Sequence, residues 1–545
     1  MPPPDALHVA APEGRSPARR VPPDPSAPPA ANCTFARQRA PGAERGSAAG
    51  ADLGRVRADV PDAAALARNH PCYSEDAHHH FARMHVAVAP ACNVQCHYCN
   101  RKYDCASESR PGVVSERLDP EQALRKVLAV AAEVPELSVV GIAGPGDALA
   151  NPAATFATLE AIRRAAPDLA LCLSTNGLAL PEHVDRLADL GVRHVTVTVS
   201  AVDPAVGEGI YAWILRDGRK IRGREAARLL SERQLEGIAR LAARGVLVKV
   251  NSVVIPGVND GHLPAVARAV RAAGAFLVNL VPLLSAPEHG THYGRIGQRG
   301  PTDAELEAVQ RACAVAHAGG EGEERGAGPG AELQARLMRH CRQCRADAVG
   351  RLGEDRFASF TLARLPPEPA RDGRELRDER RERIERARAL AARERDAALR
   401  RLAGAPPGLS ARIAVATRAG GLVDQHFGHA RELLVYDVSR AGAALVGRRS
   451  TALYCTGGEG DDDALEAALR ALADCRAVLV AKIGHCPRGQ LAAAGVEAVT
   501  EHAFQPIEAA ALAWFEGYAA RVARGEAEAR GGEAPPSSAP RAEVA

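Results

Sequence analysis

Three cysteines in a C-x3-C-x2-C spacing, Cys92, Cys96 and Cys99, constrain this chain more than any other feature. They lie within residues 85–105, HVAVAPACNVQCHYCNRKYDC. Val86 and Val88 alternate with small residues, which predicts a short buried strand ending at Pro90 and then a tight loop presenting the thiols. Three thiolates so close in sequence can hold three irons of one [4Fe–4S] cubane, leaving the fourth iron open to a small molecule. Soft thiolates also select zinc. A structural zinc site closes its shell with four ligands in paired knuckles. Neither Cys105 nor His97 makes a second C-x2-C or H-x3-H pair here, so the iron–sulfur reading leads and zinc stays open.

The remainder of the chain narrows the class. At 545 residues it has room for several domains, at roughly 150 residues each. A net charge of +3 implies no global pull toward nucleic acid or membrane. No apolar run approaches the roughly 18 residues needed to span a bilayer, and the N-terminus lacks the apolar core of a secretory signal. Thirteen cysteines, clustered at short spacings, argue for metal ligation over disulfides, and a reducing cytoplasm is the expected compartment.

Residues 1–65 are rich in Pro, Ala, Gly and Arg without a sustained period, which predicts a disordered leader. His70 and Cys72 flank a proline expected to hold the backbone extended, so that the two side chains point to opposite sides. His78, His79 and His80 point in different directions on a helix, and a packed role suits most of them. Strands and helices then alternate, the pattern of a parallel α/β sheet. A helix capped by Asp119 is followed by strands at 138–143, 170–174, 194–200, 246–251 and 276–281. With the first strand this makes six strand–helix units. Polar or glycine-rich residues fall at the strands' C-terminal ends: Gly144-Pro145-Gly146-Asp147, then Ser174, Thr175 and Asn176, then Thr198 and Ser200, then Lys249 and Asn251. That distribution fits a partial or full (β/α) barrel better than a doubly wound sheet. Cys172 alone reads equally as a buried strand cysteine.

The barrel unit is expected over 66–365. Cys313 and His317 near its end read as buried residues, and Cys341 and Cys344 form a C-x2-C pair set among arginines. Residues 366–409 are almost wholly Arg, Glu, Asp and Ala, a solvated helical linker by composition. A second small α/β domain is expected over 410–525, with His426, His429 and Cys455 as soft-ligand candidates or hydrogen-bonded loop residues. Residues 526–545 read as a disordered tail.

The C-x3-C-x2-C loop with the glycine-rich turn after the next strand resembles the radical S-adenosylmethionine (SAM) superfamily. Within it, HPCY at 70–73, the cysteine loop and HCRQCRADAVG at 340–350 resemble the family that builds the carbide-containing nitrogenase cofactor precursor. The likeness runs from about Asn69 to Arg356 and from Arg412 to about Tyr518. It implies a radical SAM barrel, followed by a carrier domain of ribonuclease-H-like topology. It further implies that Cys92, Cys96 and Cys99 hold a SAM-binding [4Fe–4S] cluster. Tyr98, Gly144, Pro145, Gly146, Asp147, Ser174, Thr175, Asn176, Thr198, Lys249 and Asn251 would then contact SAM. Two accessory [4Fe–4S] clusters are implied, one on His70, Cys105 and Cys172, the other on Cys72, Cys341 and Cys344, with the Cys341/Cys344 tail folded over the barrel mouth. The implied reaction fuses two [4Fe–4S] units with a SAM-derived carbide and an added sulfur into an 8Fe-9S-C cluster. Implied partners are iron–sulfur cluster donors, a low-potential electron donor and nitrogenase cofactor carrier and scaffold proteins. Ser107 and Ala148 depart from the family's usual Asn and Pro. Two other readings stand beside this one. A radical SAM enzyme modifying peptides or small molecules would not need the second domain. A non-catalytic cluster scaffold would leave the glycine-rich turn and the open-iron spacing unexplained.

Overall fold

The computed structural model describes residues 62–101, 112–318, 336–340, 344–366, 373–418, 421–451, 455–456, 459–460 and 462–526. The chain enters through two short helices, α1 (Ala63–Ala67) and α2 (Glu75–His80), and then β1 (Ala82–His85) and β2 (Val94–Cys96). The alternating part comprises α3 (Pro120–Glu133), β3 (Leu137–Ile142), α4 (Pro152–Ala165), β4 (Ala170–Thr175), α5 (Val184–Asp189) and β5 (His194–Thr198). Next come α6 (Pro204–Gly207) and a hairpin of β6 (Tyr211–Arg216) and β7 (Arg219–Ile221). The series closes with α7 (Gly223–Ala243), β8 (Leu247–Val254), α8 (Leu263–Ala272), β9 (Leu277–Pro282), α9 (His292–Arg295), α10 (Asp303–Ala318), β10 (Arg336–Met338) and β11 (Val349–Gly350).

Eight strands make one sheet in the order β10-β9-β8-β5-β4-β3-β1-β11, parallel except for β11. It is a half barrel. The helices bury its outer face against a continuous apolar core that includes Phe156, Leu187, Val197, Ile238 and Val270. α3 starts where expected. Asp119 accepts from Gln122 N at 2.8 Å, Gln122 Oε1 accepts from Asp119 N at 3.0 Å, and Pro120 occupies the first turn. The first strand lies earlier than expected. Its ladder covers Ala82–His85, whereas Val86 and Val88 are buried just beyond it. Beyond it Val86 N still donates to Gly141 O at 2.9 Å, and a bridge joins Ala89 to Pro145.

Both sheet edges come from the C-terminal tail. β10 extends β9, with Arg336 opposite Leu277, and β11 pairs with β1, with Met84 opposite Val349. The tail that carries Cys344 thus supplies a strand to each edge of the half barrel.

α11 (Arg374–Leu402) follows, and it is not a solvated linker along its whole length. The Arg377 guanidinium is fully buried. It donates to both oxygens of Asp168 at 2.9 Å and to Ala131 O at 3.0 Å. Ile384 packs on Ala77 and Phe81. The second domain holds β12 (Ser410–Val415), β13 (Glu432–Ser439), β14 (Gly442–Ser450), the two-residue strands β15 (Cys455–Thr456) and β16 (Glu459–Gly460), α12 (Asp462–Ala471), β17 (Ala477–Leu479), α13 (His485–Ala493), β18 (Glu497–Val499) and α14 (Ile507–Ala523). Its sheet order is β14-β13-β12-β17-β18. The first three strands are antiparallel and β12, β17 and β18 parallel, the ribonuclease-H-like arrangement. α14 and the end of α11 cover one face, α12 and α13 the other. Arg339 Nη1 donates to Val446 O at 2.6 Å, and Arg448 donates to His340 O. No helix among the described residues is long and apolar enough to cross a membrane.

Candidate functional site

The cysteine loop is held by backbone on both sides. Gly146 N donates to Ala89 O at 2.6 Å and Asp147 N to Ala91 O at 2.8 Å. A Cβ on Gly146 would stand 2.1 Å from Ala91 O, so only glycine allows this approach. Gln95 Nε2 donates to the carbonyls of Cys96 and Cys99, both at 3.1 Å, which fixes the turn between those two ligand candidates.

Asp147 ties the glycine-rich turn to the end of β4. Its carboxylate accepts from Leu149 N, Ala150 N, Asn176 N and Thr175 Oγ1 at 2.5–3.2 Å. Burial pushes its carboxyl above the usual range, against the pull of those donors. Its oxygens are thus engaged by protein. Asn176 Nδ2 in turn donates to Asn93 Oδ1 at 2.7 Å.

The three thiols are partly buried, and burial raises the Cys92 thiol to about 12, helped by the Asp147 charge. Cys96 is pushed well up too, first by burial and then by Cys99. Such thiols ionise only beside compensating positive charge, which coordinated iron supplies. Among the described residues, no three His, Cys, Asp or Glu side chains close on one point as ligands of a single ion do.

Inside the half barrel the strands stack polar layers. Ser174, Thr196 and Lys249 are opposite one another across β4, β5 and β8, and Thr198, Asn251 and Asn279 form the next layer across β5, β8 and β9. Asn279 Nδ2 donates to Asn251 Oδ1 at 2.9 Å. Cys172 is the third of six residues in β4, opposite Gly141 and His194, and buried as a strand cysteine. Lys249 also lies deep. It acts electrostatically on His70, Cys172 and His194, which sets it apart from the cysteine loop.

His70 and Cys72 enter at the N-terminal end of the strands. Tyr73 anchors them by donating to Val195 O at 3.1 Å and Leu247 O at 3.3 Å. The expected extended backbone is instead a turn, in which Tyr73 N and Ser74 N both donate to His70 O. Ser74 must cap α2 directly afterwards, and both His70 and Cys72 line the same cavity. The Cys72 amide donates to His70 Nδ1 at 3.1 Å, and His70 Nε2 is buried with no hydrogen-bond partner among the described residues. Burial, then His194 and Lys249, keep the imidazole neutral; with Nδ1 accepting, its proton sits on Nε2, which must give it up to ligate metal. Cys344 faces Arg83 and His85. Burial raises its thiol, but the His85 hydrogen bond and the nearby cations prevail and lower it to about 6.

One cavity of about 560 Å³ connects these groups, from Cys92 and Cys99 at one end to His70, Cys72, Cys172 and Cys344 at the other. Tyr98, Gly146, Thr175, Thr198 and Asn251 also line it. Cys105 and Cys341 lie outside the described residues, as do Ser107 and the side chain of Cys455. Cys313 is fully buried in the core. In the second domain the rings of His426 and His429 are 4.7 Å apart, and His426 Nδ1 accepts from Gly428 N at 3.1 Å. Reading the sequence missed Arg83 and His85, because nothing local marks them. It missed the β6–β7 hairpin as well, although Asp217-Gly218 between a Tyr/Trp/Ile run and a basic run is a hairpin signal.

The chain matches the profile of the radical SAM superfamily over residues 86–270, and that of the dinitrogenase iron-molybdenum cofactor family over 410–517. It is 54% identical over 474 residues to the FeMo cofactor biosynthesis protein NifB of Herbaspirillum seropedicae, covering 86% of this chain and 87% of that protein. The protein of the same name from Azotobacter vinelandii is 50% identical, covering 83% and 88%. Among solved structures, Streptococcus suis SuiB bound to its precursor peptide SuiA is 11% identical with a TM-score of 0.32, covering 43% of this chain and 45% of that one.

Proposed function

Because the chain belongs to the NifB family of FeMo cofactor biosynthesis proteins, we propose that its barrel carries out the family's carbide-forming cluster fusion. It is a radical SAM enzyme of FeMo-cofactor biosynthesis, which entails a [4Fe–4S] cluster and SAM. The finer reading is that two [4Fe–4S] substrates are joined with a SAM-derived carbide and a sulfur to give an 8Fe-9S-C product. The observation that carries it is the one cavity shared by the cysteine loop and the buried His70, Cys72, Cys172 and Cys344.

In this reading Cys92, Cys96 and Cys99 hold the SAM-cleaving cluster. When bound, that cluster supplies the electron that splits SAM. The chain's own residues bind and orient. Gly146 lets the backbone approach SAM, Asp147 and Asn176 lock the turn to the loop, and Tyr98, Ser174, Thr175, Thr198 and Asn251 wall the SAM side. His70, Cys105 and Cys172 hold one substrate cluster and Cys72, Cys341 and Cys344 the other. Lys249 and Arg83 offset the negative charge of those clusters. Lys249 is assigned here to the substrate side in view of its neighbours His70 and Cys172. We assign residues 66–365 to the chemistry and 410–525 to holding product, in a cytoplasmic protein served by cluster donors and carrier proteins.

A triple variant, Cys92→Ala with Cys96→Ala and Cys99→Ala, tests the assignment in anaerobically reconstituted protein. It should form no 5′-deoxyadenosine from SAM and should keep the iron of the substrate sites. Sustained 5′-deoxyadenosine formation would refute the cysteine assignment. Absence of label from methyl-labelled SAM in the parent's cluster product would refute the carbide reading.

A further inference from the structure

We propose that the β6–β7 hairpin and α9, on the outer side of the cysteine loop, form the docking face for an acidic, low-potential one-electron carrier protein. This rests on the radical SAM reading, in which each SAM cleavage consumes one electron. The face is covalently close to the cluster ligands. β6 pairs with β2, setting Val94 opposite Ile214 and Gln95 opposite Trp213. Leu215 N donates to Asn93 O at 2.7 Å, and Asn93 adjoins Cys92. Leu215 is 39% exposed. The path from open surface to a cluster cysteine is thus one hydrogen bond and one peptide unit. On the other flank, Tyr293 N donates to His97 O at 3.2 Å, and His97 lies between Cys96 and Cys99. Ile296, directly after α9, is 60% exposed beside the exposed Arg295.

The charge of the hairpin selects the partner. Asp217 and Gly218 take φ of +49° and +73°, a tight turn of the type I′ class that suits the twist of the two strands. Asp217 is matched by Arg216 at 3.5 Å and Glu208 by Arg224 at 2.8 Å. Arg219, Lys220 and Arg222 are exposed and have no carboxylate partner among the described residues. Lys220 Nζ sits 4.8 Å from the Trp213 ring centroid, which holds the ammonium on this face. Glu225, in the first turn of α7, is the remaining exposed acid of the hairpin stretch; Asp203 lies beside Arg224, and Glu288 precedes α9. In a chain of net charge +3 the hairpin is a local concentration of cations around the exposed Leu215, which lies opposite Lys220. Electron-transfer encounters are small, weak and steered by charge, which such a face suits. The carrier is oxidised by one electron. That electron ends in the S–C5′ bond of SAM, which breaks to methionine and the 5′-deoxyadenosyl radical.

The test uses full-length holoprotein with an acidic [4Fe–4S] ferredoxin, and with dithionite in parallel. In the charge-reversal variant Arg219→Glu/Lys220→Glu/Arg222→Glu, ferredoxin affinity and ferredoxin-driven SAM cleavage should fall by about tenfold or more at low salt, and the salt dependence of binding should flatten. Dithionite-driven cleavage should match the parent. The charge-conserving variant Arg219→Lys/Lys220→Arg/Arg222→Lys should bind ferredoxin as the parent does. Unchanged ferredoxin binding by the charge-reversal variant would overturn the proposal, as would parent binding that ignores salt. Failure of dithionite-driven cleavage in the parent would count against the radical SAM reading, and the binding measurements would still decide the surface.

Discussion

Asn176 Nδ2 lies 2.7 Å from Asn93 Oδ1 and 3.6 Å from Cys92 Sγ, while the Asn176 backbone N–H donates to Asp147 at 2.5 Å. One residue at the end of β4 therefore links the cysteine loop to the glycine-rich turn. The two motifs are 52 residues apart between Cys92 and Gly144, and only the fold lets a third segment set their spacing.

Replacing Asn176 with Ala removes a hydrogen bond worth about 1 kcal/mol. Iron content after reconstitution should equal the parent's, while dithionite-driven SAM cleavage slows by about fivefold to tenfold. Turnover at the parental rate would show that this link does not position the loop.

Arg377→Met should destabilise the chain by roughly 3–5 kcal/mol, because it strands a buried Asp168 carboxylate. Burial alone would raise that carboxyl, but the hydrogen bonds and charge of Arg377 prevail and hold it below its usual value. The pair thus stabilises the fold above the ordinary carboxylate pKa and loses its effect as pH falls through the depressed one. The deficit in denaturant unfolding should accordingly shrink in acid, and Asp168→Asn on the Met background should recover part of it. Equal stability of variant and parent at neutral pH would contradict the buried-pair account. It also follows that a truncation meant to remove only the second domain should end after α11, near Gly404, and not at Leu365.

Glu75 hydrogen-bonds Tyr436 of the second domain, and burial, then the Glu508 charge, push its carboxyl up to about 7. A raised folded pKa means that folding is favoured below the unfolded value of 4.5, and that this advantage is lost as pH rises through about 7. Glu75→Gln keeps a hydrogen-bonding side chain without the charge. Its stability relative to the parent should therefore improve between pH 5 and pH 8 in urea unfolding. A difference that stays flat with pH would sink the prediction.

Cys341→Ala with Cys344→Ala should lose roughly four irons per chain if these thiolates help hold one [4Fe–4S] unit. SAM cleavage should continue, because the cysteine loop is untouched, while the cluster product disappears. Full iron content in the double variant would rule out the ligand partition.

Much of this architecture can be read from residues, for identifiable reasons. Four strands of the alternating part announce themselves by short apolar runs that lead into Gly, Ser, Thr or Asn, a fifth by a run ending at Pro282, and the Asp119 cap by its Pro and Gln. β10 and β11 have three and two residues, too few for any period, and they exist only because their partners' edges are there. Cys172 was legible as a strand cysteine, but its cross-strand neighbours Gly141 and His194 depend on a register that no local signal carries. Arg377 hides in a helix whose charges look uniformly solvated, since its acceptor Asp168 is 209 residues away. Arg83 and His85 meet Cys344 across a similar gulf, and no spacing rule reaches that far.

The placement of β10 and β11 also bears on how this protein keeps to itself. A half barrel has two unpaired strand edges, each a row of amide and carbonyl groups able to template pairing with another chain. One tail covers both, and the same tail brings Cys344 into the lumen. Displacement of the segment from Arg336 to Gly350 would therefore uncover both edges at once, so that losing a cluster ligand and becoming adhesive would be the same event.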